Sequence, residues 1–313
     1  MHSSRLNTKL QPDQLDARPR TLQFEAIGTA WHIYLETPLT YAAYQNLSLC
    51  IHSRIAIYDQ HYSRFRADSF VTVMSKAPGI YQLPDDAQPL LDIYEKMYQI
   101  TDGRMTPLVG ALLEDAGYDA NYSLQPKPLR PTPSWGESLS YNFPTIMTKN
   151  HALLDFGAAG KGYLVDIVAA IIQDAGIDSF SINAGGDIVN YNAPPELAVI
   201  GLEHPSNDDE IVGLAKVTTG SLCGSAVNRR RWGAYHHIMN PITEQPTTSM
   251  LATWVVADTG LLADALATAL FFVEARALTK HFNFQYAAIG FDMSLTSSDG
   301  FPANFFLEQR RPY

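Results

Sequence analysis

The sequence predicts an α+β fold in which mixed or antiparallel sheets pack against helices. Segments of helical and strand-like periodicity are interspersed without the regular β-α-β order of a doubly wound sheet, and several strand candidates follow one another directly. The chain of 313 residues is 46% hydrophobic and 17% charged, which is typical of a folded globular protein. A chain of this length can bury a large core, in one large domain or in two ordinary ones.

The N-terminal part of the chain contains a polar segment, a strand-like run and two helical segments. Residues 1–20 are polar and mildly basic, and we predict a flexible tail there. Residues 24–34 read as a strand, whereas the segments 41–57 and 89–100 have the apolar spacing of amphipathic helices. Closely spaced prolines predict a surface loop at about 119–135.

The C-terminal half is predicted to contain most of the strands. Residues 145–154 have the pattern of a hairpin that turns at Lys149 and Asn150. A helix is predicted over 164–175, because its apolar residues recur at helical spacing and Gly176 follows as a C-cap. Further strands are predicted around Phe180 and Ile182 and at 197–202, 211–218 and 252–257, and a last helix at 260–274.

Charge and cysteine content exclude several classes of function. The net charge of −10, without a basic stripe, argues against nucleic acid as a partner. No window reaches the ~18 apolar residues of a membrane helix, and the first residues lack an apolar signal segment. We therefore expect a cytoplasmic protein, unless a signal that would direct it to the periplasm or a membrane has been removed. Cys50 and Cys223 are predicted to be two buried thiols rather than a disulfide.

The central segment 155–163, Asp-Phe-Gly-Ala-Ala-Gly-Lys-Gly-Tyr, contains five glycine or alanine residues among nine. So few side chains let the backbone approach a ligand closely. Because a helix follows directly, the loop lies at a helix N-terminus, where free N–H groups favour an anion such as phosphate. A second turn of small residues, 183–187, follows the next strand. Together, the two turns predict a binding surface for a phosphorylated ligand.

Two familiar motifs are excluded for this segment. The triplet 155–157 is spelled like the metal-binding triplet of protein kinases, but no kinase catalytic loop or lysine strand occurs elsewhere in the chain. A phosphate-binding P-loop has four residues between its glycines and a Ser or Thr after its lysine. Here only two residues separate Gly157 from Gly160, and Gly162 follows Lys161.

A second set of candidate residues lies in the last predicted helix and in the segment 235–241, which precedes the strand predicted at 252–257. Asp264 and Thr268 are four residues apart, hence on one helical face, and both carry oxygen donors suited to Mg²⁺. Spacing alone leaves the alternative that they are ordinary helix residues. His236 and His237 could bind a metal or act as a base, but such pairs are more often structural. The arginines 229–231 are interpreted as a solvated run.

Taken in order, these segments resemble the ApbE family of FAD:protein FMN transferases. The central motif of that family is similar to Asp-Leu-Gly-Gly-Ile-Ala-Lys-Gly-Tyr, then a helix and Asn-Ala-Gly-Gly-Asp, which residues 155–163 and 183–187 match. Two later motifs, His-Ile-Ile-Asp-Pro and Ala-Asp-Ala-Leu-Ala-Thr-Ala, are matched by residues 237–241 and 263–269. Four motifs in the same order make a chance match improbable.

The resemblance implies a single ApbE-type domain of T-fold-related architecture over residues 21–313. It also implies an activity: the enzymes bind FAD and Mg²⁺, and they transfer FMN to a threonine or serine hydroxyl of a target flavoprotein, releasing AMP. By the same resemblance, the side chains of Asp264 and Thr268 and the backbone carbonyl of Ala158 are the Mg²⁺ ligands.

The family also implies which residues contact FAD and the incoming hydroxyl. Phe65 would stack on or near the flavin, and His237 is the candidate base. A protein with a net charge of −10 needs either local Lys or Arg side chains or a divalent cation to hold a polyanionic ligand, and a divalent cation and a lysine are usual means of stabilising the charge in phosphoryl transfer. The expected FAD-binding residues are Ile27, Phe65, Arg104, Met105, Thr106, Asp155 and Lys161.

The chain departs from the family pattern at several positions. Thr106 lies where the family usually has an aspartate, Asn240 replaces the aspartate of the histidine motif, and Gly160 replaces an alanine. The first of these changes affects the flavin-binding end. Two alternatives therefore stay open: an FAD pyrophosphatase that yields FMN and AMP, and a non-catalytic FAD-binding protein.

Overall fold

The structure, a computed structural model, describes residues 16–192 and 197–307. Of the predicted flexible tail, residues 1–15 lie outside the described residues. The end of that tail belongs to the fold, because the first strand begins at Arg18. None of the helices in the described ranges is long and apolar enough to cross a membrane.

Helices and strands follow one another without β-α-β regularity. The helices are α1 Tyr41–Tyr62, α2 Phe70–Ser75, α3 Ala87–Ile100, α4 Gly110–Asp115, α5 Trp135–Ser138, α6 Gly160–Asp174, α7 Gly260–Ala269 and α8 Ala275–Leu278, with a 3₁₀ turn at Pro107–Val109. The strands are β1 Arg18–Ala26, β2 Thr29–Leu39, β3 Gly79–Gln82, β4 Leu139–Asn142, β5 Thr145–Thr148, β6 Ser179–Ala184, β7 Asp187–Asn192, β8 Ala198–His204, β9 Asn207–Val217, β10 Gly220–Ala226, β11 Arg231–Trp232, β12 Tyr235–His236, β13 Met239–Asn240, β14 Gln245–Pro246, β15 Met250–Ala257, β16 Gln285–Gly290, β17 Leu295–Ser297 and β18 Ala303–Phe305.

The central element is an eight-stranded sheet with the strand order β1-β2-β6-β7-β10-β15-β16-β17. Two three-stranded sheets, β3-β5-β4 and β18-β9-β8, and the ribbons β11-β12 and β13-β14 complete the strand pairing of the described chain. Every one of these pairs is antiparallel. The predicted α+β class is therefore confirmed, with antiparallel sheets packed against helices.

The eight-stranded sheet separates two hydrophobic layers. Along β10, Cys223 packs with the buried residues of α1, α3, α6 and α7, whereas its neighbour Leu222 packs with residues of β8 and β9. β15 alternates in the same way, with Val255 on the helix side and Trp254 on the other. Because successive side chains of a strand point to opposite faces, helices cover one face of the sheet and β18-β9-β8 covers the other.

The strand-like run predicted at 24–34 is a hairpin rather than one strand. β1 and β2 pair directly and are joined at Ile27 and Gly28, whose φ angles are 46° and 72°. A two-residue turn with both φ angles positive matches the right-handed twist of the flanking strands. Glycine adopts this conformation freely, whereas Ile27 is held in a region that a β-branched residue rarely occupies. This turn forms part of the cavity described below.

Residues 145–154 do not form the predicted hairpin. β5 is instead the middle strand between β3 and β4, and its turn with β4 contains Phe143 and Pro144. The residues after β5 form no strand, and they lead the chain to Asp155. At that point the Asp155 N–H donates to the Pro107 carbonyl at 2.7 Å.

The other predicted elements are present with shifted ends. α1 continues to Tyr62, beyond the predicted end at residue 57, and α7 ends at Ala269 rather than at residue 274. Residues 119–134, in the predicted proline-rich loop, contain no helix or strand. Both cysteines are free thiols, but only Cys223 is buried, because Cys50 lies on the exposed face of α1.

Helices α6 and α7 pack against each other at their N-termini through two glycines. A Cβ atom built on Gly162 would lie 2.1 Å from the carbonyl oxygen of Gly260, and one built on Gly260 would lie 2.5 Å from that of Gly162. Each helix also caps the other. Asp264 of α7 accepts a hydrogen bond from the Gly162 N–H at 2.9 Å. Asp166 of α6 accepts from the N–H groups of Gly260 and Leu261 at 2.7 and 2.8 Å.

Candidate active site

A cavity of about 670 Å³ lies between the β1–β2 turn, helix α7 and residues 155–160, which we call the glycine-lined loop. All the residues predicted to bind FAD, to bind Mg²⁺ or to act as the base line this cavity. They are Ile27, Phe65, Arg104, Met105, Thr106, Asp155, Ala158, Lys161, His237, Asp264 and Thr268. The loop in the middle of the chain and the late helix thus share one cleft.

Two tyrosines hold the glycine-lined loop against the helices. Tyr58 of α1 donates to the carbonyl of Gly160 at 2.8 Å, and the N–H of Ala158 donates to Tyr94 Oη of α3 at 3.0 Å. Both tyrosines are buried, and the ring of Tyr94 packs edge-on against Phe156 with 5.4 Å between ring centroids. A loop with few side chains of its own is therefore fixed by side chains from α1 and α3.

Several N–H groups at the start of α6 already donate hydrogen bonds within the protein, so fewer donors remain for an anion than the sequence predicts. The N–H groups of Gly160 and Gly162 donate hydrogen bonds at 2.7 and 2.9 Å. Their acceptors are the Phe156 carbonyl and the Asp264 carboxylate, and the Ala158 N–H is used by Tyr94 as described. Because the protein satisfies these donors itself, charged side chains must supply most of the attraction for an anionic ligand.

Two buried carboxylates, Asp187 and Asp264, lie beside the cavity with Lys161, whose side chain is partly exposed. The Lys161 ammonium forms an ion pair with Asp187, which is fully buried. Burial raises the pKa of Asp264 to about 7, and the charge of Asp187 adds to this effect while Lys161 opposes it. Burial would lower the pKa of Lys161, but the two carboxylates raise it above its ordinary value. When both carboxylates are ionised they outweigh the one ammonium, and a further cation would balance the excess negative charge; without it, the raised pKa lets Asp264 hold a proton near neutral pH.

The oxygen atoms near Asp264 fit a hard divalent cation. Thr268 lies one turn after Asp264 on α7, and its Oγ1 is 3.3 Å from Ser225 Oγ. Asp187 Oδ1 is buried and accepts no hydrogen bond from the residues that the structure describes. Carboxylate, hydroxyl and carbonyl oxygens are the ligands that Mg²⁺ prefers. The described residues contain no group of three or more His, Cys, Asp or Glu side chains that could hold a metal ion. A site here must therefore combine carboxylates with hydroxyl and backbone oxygens, such as the Ala158 carbonyl.

Asp155 is held by Arg64 and by its own loop. Arg64, which is only 3% exposed, donates from Nε to Asp155 Oδ2 and from Nη1 to the Tyr118 carbonyl at 2.7 Å. The Gly157 N–H donates to Asp155 Oδ1 at 2.7 Å. Burial alone would raise the pKa of Asp155, but the Arg64 charge and these hydrogen bonds hold it below its ordinary value. Asp155 is thus an anionic anchor of the loop, with both oxygens engaged within the protein.

The two histidines lie in different environments. The Ile238 N–H donates to Nδ1 of His236 at 3.2 Å, so the ring proton is on Nε2, which donates to the Thr247 carbonyl at 2.9 Å. His236 is therefore structural. His237 lines the cavity, and its Nδ1 is buried without a hydrogen-bond partner. Burial and the charge of Arg230 lower the pKa of His237 to about 3, which keeps the ring neutral in the ligand-free protein and makes it a weak base there.

In the segment 104–106, Arg104 and Thr106 each form a hydrogen bond within the protein. Arg104 Nη1 donates to the Phe272 carbonyl at 3.1 Å, and Thr106 Oγ1 accepts from the Leu108 N–H at 3.2 Å. Met105 is buried. Where the family pattern has an aspartate, the Thr106 hydroxyl therefore caps the 3₁₀ turn that follows.

Sequence reasoning missed four charged residues of the site. Two of the arginines interpreted as a solvated run, Arg229 and Arg230, line the cavity. Arg64 holds Asp155, and Asp187 pairs with Lys161, although neither belongs to the predicted set. The available signal was weak: Asp187 ends a segment that matches the family and Arg64 precedes Phe65, but the partners of both residues are distant in sequence.

Comparison with known proteins places the chain in a family. The ApbE family model matches residues 27–289. The curated FAD:protein FMN transferase of Rhodobacter capsulatus is 27% identical over an alignment of 187 residues, which covers 54% of this chain and 35% of that protein. The matched part of the chain therefore spans well under two thirds of that relative's length.

Two solved structures have a similar fold. The ApbE protein from Thermotoga maritima has a TM-score of 0.78 at 22% identity, with 91% of this chain and 98% of that chain covered. The flavin transferase ApbE from Vibrio cholerae has a TM-score of 0.73 at 19% identity, with 90% and 97% covered. The resemblance inferred from the four sequence motifs is confirmed, and the chain belongs to the ApbE family.

Proposed function

We propose that this protein transfers FMN from FAD to a serine or threonine hydroxyl of a target flavoprotein, in a Mg²⁺-dependent reaction that releases AMP. The observation that carries the proposal is the shared cavity, which all eleven predicted site residues line. Its volume of about 670 Å³ lies within the range of roughly 300–1,000 Å³ that is usual for small-molecule sites. The name of the Rhodobacter capsulatus relative, FAD:protein FMN transferase, supports the same activity.

The charges around the cavity suit a diphosphate. Lys161 and Arg230 supply positive charge, and Asp264, Thr268 and the Ala158 carbonyl would hold Mg²⁺. Bound there, the ion would offset the negative charge that develops on the phosphate oxygens during transfer. The residues of the chain then bind and orient the two ends of FAD, and no covalent protein intermediate is required.

His237 is the candidate to take the proton of the incoming hydroxyl, and because a pKa of about 3 makes it a weak base in the ligand-free protein, this role requires that the bound diphosphate raise that pKa. Its ring is neutral, and its Nδ1 has no hydrogen-bond partner among the residues that the structure describes. In the proposed step the acceptor oxygen forms a bond to the FMN-side phosphorus, the bond from that phosphorus to the AMP oxygen breaks, and His237 accepts the hydroxyl proton. AMP leaves with the electron pair of the broken bond.

We expect the pKa of His237 to be about 3 in the ligand-free protein, because burial and the Arg230 charge disfavour the imidazolium. FAD should raise this pKa by about one unit or more, since its diphosphate offsets the Arg230 charge. An unfolded histidine has a pKa of 6.5, so the unfolded chain binds the proton first. The free energy of unfolding should therefore fall as the pH drops from 6.5 towards 3.

NMR titration of the His237 ring, with and without FAD, measures both pKa values. The variant H237Q assigns the signal of this ring. Its free energy of unfolding should lack the part of the decrease between pH 6.5 and 3 that protonation of His237 causes. A pKa near 6.5 in the ligand-free protein would contradict the environment described for His237. An FAD-bound value no higher than the free value would show that the diphosphate does not offset Arg230.

One incubation separates transfer from the two alternatives. The protein is mixed with FAD, Mg²⁺ and a flavoprotein domain that carries a Ser/Thr flavinylation site, and acceptor mass and free AMP are measured. Transfer yields AMP and an acceptor that is heavier by FMN less one water. AMP with free FMN would instead identify an FAD pyrophosphatase, and tight FAD binding without AMP would identify a binding protein. A parallel mixture with a chelator in place of Mg²⁺ tests the metal dependence.

A further inference from the structure

The proline-rich segment 119–134 places one aromatic side chain in the wall of the cavity. Tyr122 lines the cavity and leaves 51% of its surface exposed. A Cβ atom built on Gly28, in the β1–β2 turn, would lie 3.7 Å from Tyr122 Oη. The side chain therefore extends from the segment to the turn, and its ring forms part of the exposed side of the cavity.

Hydrogen bonds on both sides of Tyr122 fix its position. The Tyr122 N–H donates to the Asp119 carbonyl at 3.0 Å, and the Asp119 carboxylate accepts from the N–H and Oγ of Ser123 at 3.0 and 2.6 Å. Further on, Arg130 donates to both carboxylate oxygens of Asp115 at 2.6 and 2.9 Å. These contacts hold Tyr122 at a φ of 50°, a conformation that non-glycine residues adopt rarely.

Tyr122 covers Phe65, the residue expected from the family to stack on or near the flavin. The two rings are parallel within 15°, with 5.3 Å between their centroids. Phe65 also contacts the Arg64 guanidinium, 4.2 Å from its ring centroid, and the Tyr118 ring at 5.2 Å. Phe65 is only partly exposed, whereas Tyr122 is half exposed. A planar ligand that enters the cavity therefore meets Tyr122 before Phe65.

We propose that Tyr122 is a specificity-determining residue whose ring packs against the isoalloxazine of FAD, with Phe65 behind it. This inference rests on the proposed function, because FAD is the ligand. Offset parallel stacking is the favoured geometry of aromatic pairs. The diphosphate then extends towards Lys161, which lines the same cavity. A nucleotide without a flavin, such as ADP, gains no contact with Tyr122.

The test compares the binding of FAD, FMN and ADP to the wild type and to the variants Tyr122→Ala and Tyr122→Phe. Flavin affinities are measured by fluorescence, and ADP affinity by calorimetry. We expect Tyr122→Ala to bind FAD and FMN about tenfold more weakly, as the loss of one stacked ring implies, and to bind ADP like the wild type. Tyr122→Phe keeps the ring and should keep flavin affinity. Tyr34→Ala removes a tyrosine of similar exposure, 46%, outside the cavity, and serves as the matched control.

Each other outcome counts against the inference. Equal FAD affinity in the wild type and in Tyr122→Ala would overturn it and leave the proposed function standing. An equal loss of ADP affinity would show that the substitution disturbs the whole site rather than a flavin contact. If Tyr122→Phe were as weak as Tyr122→Ala, the hydroxyl and not the ring would be responsible. A wild type that binds no FAD at all would overturn the proposed function together with this inference.

Discussion

The variant Asp264→Asn is expected to release AMP from FAD at least about 10³-fold more slowly than the wild type, because it removes the carboxylate proposed to hold Mg²⁺. A bound cation stabilises transition-state charge by several kcal/mol, and each ~1.4 kcal/mol changes the rate tenfold. Asp264 is 4% exposed, and the neighbouring carboxylate, Asp187, is already paired with Lys161, so we expect no other side chain to replace the lost ligand. The measurement is the initial rate of AMP formation at saturating FAD and Mg²⁺.

Asparagine tests the role of the Asp264 charge more specifically than alanine does. Asp264 Oδ2 accepts the buried hydrogen bond from the Gly162 N–H at 2.9 Å, and an amide oxygen can still accept it. Alanine would leave this donor unsatisfied, at a cost of about 1–3 kcal/mol. Asp264→Asn therefore removes the charge while it keeps the contact between α6 and α7, so that a loss of activity reports on the metal site and not on the fold.

Asp166→Asn is the matched control for this variant. Asp166 is the counterpart of Asp264 across the same helix pair, where it caps α7 from α6, but it does not line the cavity. Because an amide has only one acceptor oxygen, asparagine keeps one of these two hydrogen bonds, so we expect a loss of stability of about 1–3 kcal/mol. The AMP release of the folded variant should stay close to that of the wild type. Mg²⁺ should raise the unfolding temperature of the wild type and of Asp166→Asn, but not that of Asp264→Asn. If Asp264→Asn released AMP at the normal rate, or gained the same thermal shift from Mg²⁺, the metal assignment would be wrong.

The cleft was predictable from the sequence because its motifs carry local geometry. Asp264 and Thr268 are four residues apart, and helical periodicity alone places them on one face. The glycine-lined loop was recognisable from its composition, and the order of the motifs implied that loop and helix serve one ligand. The structure places both on one cavity. The α+β class likewise followed from the order of elements, which does not depend on their exact ends.

The features of the fold and of the site that were not predicted depend on residues distant in sequence, which no local sequence pattern identifies. The start of α6 was expected to offer free N–H groups, but the Gly162 N–H is bound by Asp264, 102 residues later. Arg64 is separated by 91 residues from its partner Asp155. The segment 145–154 had the alternation of a hairpin, yet its strand pairs on one side with β3, which precedes it by more than sixty residues. Such partners are chosen by packing, and packing is visible only in three dimensions.

Replacing Gly162 by alanine is expected to lower the free energy of unfolding by about 3 kcal/mol or more, and to abolish AMP release. The added Cβ would lie 2.1 Å from the Gly260 carbonyl oxygen and 2.7 Å from Asp264 Cβ. No rotamer change can relieve these contacts, because a Cβ position is set by the backbone. α7 must therefore move away from α6, which breaks the hydrogen bond between Asp264 and the Gly162 N–H. Urea unfolding measures the stability, and the AMP assay measures the activity.

Gly136→Ala is the matched control, because a Cβ built on Gly136 in α5 meets no atom within 4 Å. Its stability and AMP release should equal those of the wild type or improve slightly, as alanine favours a helix. In Gly162→Ala, the rise in unfolding temperature with Mg²⁺ should disappear together with AMP release, since both require Asp264 to stay beside the glycine-lined loop. A Gly162→Ala protein as stable as the wild type would contradict the close helix contact. A protein that is destabilised but still stabilised by Mg²⁺ would show that α7 can shift without separating the carboxylate from the loop, and the metal site would then not depend on this glycine.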